Sequence, residues 1–163
     1  MLGTSNVCSL FDAGLLDAAV PDGSISVSEL TTSDDAGSGG VCEVSNVSRG
    51  DWSVLRLNIN KEYTGSPAQR REDSAVGLRW ACDKSVTQAP VTNGESPAEE
   101  SCANLVTDAD QAVPMRLCQY AARRADTLVW GYYQFLPSLT PAQADHNCQV
   151  TRDVANSALS RVA

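Results

Sequence analysis

"TLVWGYYQFL", Thr127–Leu136, decides how the fold is read. Leu128, Val129, Trp130, Tyr132, Tyr133 and Phe135 make it apolar on both faces, and β-branched and aromatic side chains favour an extended backbone. A half-wet strand alternates apolar with polar residues; this one does not, which predicts a central strand. Met115–Ala122 reads as its antiparallel neighbour, the two joined near Arg124 and Ala125.

Outward from this pair, Leu55, Leu57 and Ile59 alternate with Arg56, Asn58 and Asn60, the pattern of a strand with one dry face. Leu78, Trp80 and Cys82 repeat that period, as do Ile25 and Val27. Three helix starts share one signature: "SPAQ" at 66–69, "SPAE" at 96–99 and "TPAQ" at 140–143. Each offers a hydroxyl cap, a Pro at the first helical position and a Gln or Glu that reaches back to the cap. Gly77 is expected to end the first of these helices, and the second is expected to be short. In the third, Ala144, Cys148, Thr151, Ala155, Ala158, Leu159 and Val162 form one face. A further helix is expected over Ser9–Val20, burying Phe11, Leu15, Leu16 and Ala19 and stopped by Pro21. The elements predict a single α+β domain over 1–163: a mainly antiparallel sheet of about five to six strands with packed N- and C-terminal helices.

Twenty acidic residues against twelve basic give a net charge of −8. That field repels a phosphate backbone, and the Arg70–Arg71 and Arg123–Arg124 pairs do not make a basic stripe, so nucleic-acid binding is excluded as a reading. The six cysteines, Cys8, Cys42, Cys82, Cys102, Cys118 and Cys148, stand singly without a C-x-x-C pair. With His146 the one histidine, zinc spacing is lacking, and three disulfides in an oxidising compartment fit better. Met1–Val7 shows neither a charged n-region nor an apolar run, so those residues are expected to be flexible or vector-derived after loss of a targeting segment. Membrane attachment is expected only through a removed lipid anchor, since no apolar run reaches the roughly 18 residues of a spanning helix.

Local motifs point away from metal and catalysis. "PDGSISVSEL", 21–30, resembles a calcium loop, but its first and third ligand positions fall on Ala18 and Val20, so it reads as a turn into a strand. Asp108 and Asp110 read as a solvated acidic loop, "GSGG" at 37–40 as a flexible connection, and His146 as a helix-surface residue. Asn46-Val47-Ser48 is a sequon, of consequence only in a glycosylating secretory pathway. Glu99 and Glu100 are adjacent, so on a helix they diverge by about 100° and cannot flank one glycosidic bond. No nucleophile elbow, S-x-x-K or H-E-x-x-H is present, and no cofactor is expected. Recognition remains. Trp52, Trp80, Trp130, Tyr132 and Tyr133 fall on predicted strands; rings in strands ordinarily fill the core, but on an uncovered face they stack on sugars or anchor a protein. Trp130, Tyr132 and Tyr133 are the candidate ligand-binding residues.

"CSLFDAGLLDAAV", "VCEVS", "WSVLRLNINKEY" and the closing "CQVTRDVANSALSRV" together resemble an uncharacterised family of exported actinobacterial proteins, many of them lipoproteins. The resemblance implies an extracytoplasmic protein and a Cys8–Cys42 pair. It leaves the pairing of Cys82, Cys102, Cys118 and Cys148 open and implies no activity. The expectation is therefore an exported, non-catalytic domain binding a protein or glycan, with a small extracellular hydrolase or enzyme inhibitor as the alternative.

Overall fold

The computed structural model describes residues 6–33, 37–48, 51–62, 64–85, 89–108, 115–136 and 140–162. It is an α+β fold whose seven-stranded antiparallel sheet is formed by β1 (Ser24–Ser33), β2 (Gly37–Ser48), β3 (Asp51–Glu62), β4 (Thr92–Asn93), β5 (Glu100–Asp108), β6 (Met115–Arg124) and β7 (Thr127–Phe135). The spatial order is β1-β2-β3-β7-β6-β5-β4, which puts the apolar β7 fourth of seven. Among the described residues three α-helices accompany it: α1 (Ala13–Ala19), α2 (Pro67–Trp80) and α3 (Pro141–Val162).

Alternation assigns the faces. Leu55, Leu57 and Ile59 of β3 share one face with Cys118, Tyr120 and Ala122 of β6 and with Val129, Tyr133 and Phe135 of β7. Against them pack Leu16 and Ala19 of α1 and Val150, Val154, Ala158 and Leu159 of α3, all buried. Removing such a side chain from water stabilises by roughly 1.5–3 kcal/mol each, so this layer is the principal core. The expected helix over Ser9–Val20 is divided: Val7–Leu10 form a 3₁₀ turn, and α1 begins after Asp12, whose carboxylate accepts from Leu15 N–H at 3.1 Å. Arg161 holds the same cap, donating to Asp12 Oδ2 at 2.8 Å and to the Phe11 carbonyl at 2.6 Å, and so joins α1 to the end of α3.

The strand count exceeds the expected five to six, and the difference lies in one region. Leu78, Trp80 and Cys82 are not a strand: α2 runs on through Gly77 to Trp80 and continues as a π turn over Ala81–Ser85. Leu78 and Cys82 satisfy a four-residue helical spacing as well as period two, and both pack on Cys102, Ala121 and Leu128, while Trp80 is 56% exposed. Nor does "SPAE" start a helix. The Ser96–Pro97 peptide is cis, Ala98 N–H donates to the Glu95 carbonyl at 2.8 Å, and the chain enters β5 at Glu100. "GSGG" is no flexible connection either, since Gly37–Gly40 are ladder residues of β2, paired on both sides. A Cβ on Gly40 would lie 2.5 Å from Val7 Cγ2; the missing side chain is what lets the 3₁₀ turn sit on the sheet.

Three disulfides fasten the layers: Cys8–Cys42, Cys82–Cys102 and Cys118–Cys148. The first ties the 3₁₀ turn to β2, the second the end of α2 to β5, and the third α3 to β6. Each helical segment that packs on the sheet is thus bonded to it once, directly or through the adjoining turn.

Candidate binding surface

On the reverse face of the sheet, α2 covers only the end bearing Cys102, Ala121 and Leu128, with Trp130 at its margin. The remainder carries no described helix. Registers across the strands place Glu43, Arg56, Tyr132, Gln119 and Asn104 side by side, one each from β2, β3, β7, β6 and β5. A parallel row holds Val54, Gln134, Leu117 and Val106, and Trp52 lies beyond it. These side chains are half-buried except Gln134, which is 9% exposed. Arg56 donates to Glu43 Oε2 at 2.9 Å and the Ser26 hydroxyl donates to Glu43 Oε1 at 2.8 Å, so the one charged pair of the two rows is neutralised within the face. In a chain of net charge −8, a face of aromatic, amide and aliphatic groups with no net charge stands apart.

The three candidate rings divide between the two faces. Trp130 and Tyr132 lie two residues apart on the open side and are half-buried there. Tyr133, the odd residue between even ones, points into the principal core: it is 4% exposed, its hydroxyl donates to the Ala19 carbonyl at 2.7 Å, and its ring lies 5.6 Å from that of Phe135. Of the other aromatics, Trp52 belongs to the open face and Trp80 to the outer surface of α2.

A second concavity lies on the core side, where α3 crosses β5 and β6. Two adjoining hollows, of about 230 and 140 Å³, share Ala103, Tyr120 and Arg152. The larger is also lined by Asp145, Cys118 and Cys148, the smaller by Thr92, Asn93 and Glu95. At the floor, Tyr120 donates to Asn156 Oδ1 at 3.2 Å, and burial raises its phenol pKa, partly offset by its hydrogen bonding with Ser101 and Asn156, so it stays protonated. Sequence reasoning missed this groove because it took the start of β5 for a helix.

Elsewhere, burial raises the Glu62 carboxyl pKa, helped by the nearby charges of Asp73 and Asp126; Asp126 is itself paired with Lys61 at 3.6 Å and Arg70 at 3.4 Å. Asp22 occupies a left-handed turn conformation (φ 56°) and Glu29 is exposed on β1. Asn46 of the sequon donates to the Pro21 carbonyl at 2.9 Å, and His146 is exposed on α3. The Asp108 side chain and Asp110 lie outside the described residues. Among the described residues no three His, Cys, Asp or Glu side chains gather as a metal site, and no helix is long and apolar enough to cross a membrane. No known protein family matches the chain, and no curated protein or solved structure does so either.

Proposed function

We propose that this chain is an exported, non-catalytic binding domain that engages a protein partner through the open face of its sheet. The observation that carries the reading is the Glu43–Arg56–Tyr132–Gln119–Asn104 row, flanked by Trp130 and Trp52, on a sheet side that α2 leaves largely uncovered. Protein interfaces are enriched in tyrosine, tryptophan and arginine and depleted of net charge at their centre. This face has that composition, and the sheet holds its side chains in place before a partner arrives, which lowers the ordering cost of association. Export is supported by the three disulfides, which persist outside the reducing cytosol.

The test uses the oxidised protein as bait on secreted and envelope fractions, beside Tyr132→Ala and Trp130→Ala variants verified as folded by circular dichroism. Aromatic anchors contribute about 2 kcal/mol or more, so each variant is expected to lose a captured partner by roughly thirtyfold in affinity. A partner held equally by wild type and both variants would place binding elsewhere, and selective retention on a glycan array would replace the protein partner with a sugar.

A further inference from the structure

We infer that Cys148 Sγ is a thiol-exchange site, the point at which a small dithiol reductant outside the cytosol opens the Cys118–Cys148 bond and releases the start of α3. Cys8, Cys42, Cys82, Cys102 and Cys118 are between 0% and 3% exposed, whereas Cys148 is half-buried. Both sulfur-bearing residues of this one bond line the hollow of about 230 Å³ between α3 and β5–β6, an opening that leads from solvent to the disulfide. Cys8 and Cys42 lie in the principal core, and Cys82 and Cys102 lie in the cluster beneath α2.

Exchange requires a thiolate in line with the S–S bond, and its rate depends on access and on the charges it meets. Arg152, one helical turn beyond Cys148 and lining the same hollow, supplies the positive charge that favours an incoming thiolate. Asp145, on the opposite side of Cys148 along α3, faces the same space, so the mouth has no net charge in an otherwise acidic protein. The reductant's thiolate attacks Cys148 Sγ, forming a mixed disulfide, and Cys118 leaves as a thiolate that takes up a proton. The reductant's second thiol loses its proton and attacks its own bound sulfur, closing a cyclic disulfide and freeing Cys148, which is protonated in turn. Two electrons and two protons pass from reductant to protein. Reduction unfastens α3 from β6 near Ala144, which is 1% exposed, while Val154, Ala158 and Leu159 still anchor the rest of the helix.

The experiment treats the folded, oxidised protein with dithiothreitol over a range of concentrations without denaturant, traps thiols by alkylation and maps them by mass spectrometry. Cys118 and Cys148 are expected to be labelled together, at least tenfold faster than the other four. Arg152→Gln is expected to slow that labelling severalfold without altering reduction of the same protein in denaturant. Hydrogen exchange of the selectively reduced form is expected to rise over 141–149 and to stay unchanged in β3 and β7. Labelling of another pair first, or of all six cysteines at one common rate, would overturn the assignment.

Discussion

Complete reduction of the three disulfides is expected to unfold the protein at 37 °C. The bonds span 34, 20 and 30 residues of sequence in loops that do not overlap, so their constraints on the unfolded chain add. On the chain-entropy account each loop of this size contributes about 3–4 kcal/mol, roughly 10 kcal/mol together. A domain of this size has about 5–15 kcal/mol of net stability, so the sum is comparable with the whole. Placement reinforces the number, because each bond fastens a different helical segment to the sheet and loss of all three frees every layer. Thermal melts followed by circular dichroism, with and without excess phosphine reductant, read the result directly. A reduced sample that keeps a cooperative transition within a few degrees of the oxidised one would show that side-chain packing alone holds the layers.

Gly131→Ala is expected to destabilise by about 3 kcal/mol or more, the upper end of overpacking effects. β7 lies between β3 and β6, and Gly131 sits opposite Leu57 on one side and Tyr120 on the other. An added Cβ there would come within 2.0 Å of the Arg56 carbonyl oxygen and 2.9 Å of Leu57 Cα. Those are backbone atoms of an interior strand; they cannot turn aside as a side-chain tip can, so β3 must shift off β7. The ordinary gain from replacing glycine in a strand, about 0.5–1 kcal/mol, is too small to offset this. Urea unfolding of the oxidised variant measures it, and a midpoint equal to wild type would refute the close approach. The same shift would separate Arg56 from Tyr132, so this variant is also expected to weaken the partner binding proposed for the open face.

The sequence announced β7 because six large apolar residues in nine leave no wet side, and β3 because its alternation is unbroken from Leu55 to Asn60. In α3, Ala144, Thr151, Ala155, Ala158 and Leu159 are buried as their spacing predicts, while Val150 and Val154 widen the buried face beyond the predicted stripe. The region between α2 and β6 was illegible for a definable reason. "SPAQ" and "TPAQ" do cap helices: Ser66 Oγ accepts from Gln69 N–H at 3.2 Å, and Thr140 Oγ1 accepts from Gln143 N–H at 3.3 Å. The same pattern at 96–99 fails because Glu99 is claimed by distant partners, accepting from Arg71 at 2.7 Å and Arg123 at 3.0 Å, while Glu100 accepts from Arg123 at 2.6 Å. A local signal lost to contacts that no window of sequence contains. The open face follows the same division. That Trp130 and Tyr132 share a side while Tyr133 takes the other follows from the pleat alone. That Glu43, Arg56, Gln119 and Asn104 join them requires the strand order, which only the folded chain supplies.

Each helical segment is covalently fastened to one sheet, and peptide mapping of the unreduced protein tests this most directly. Digestion under acidic conditions, which suppress exchange, is expected to yield three linked peptide pairs, Cys8 with Cys42, Cys82 with Cys102 and Cys118 with Cys148, and no alkylatable thiol. Any other pairing, or free thiols at stoichiometric level in protein that has never met a reductant, would contradict it.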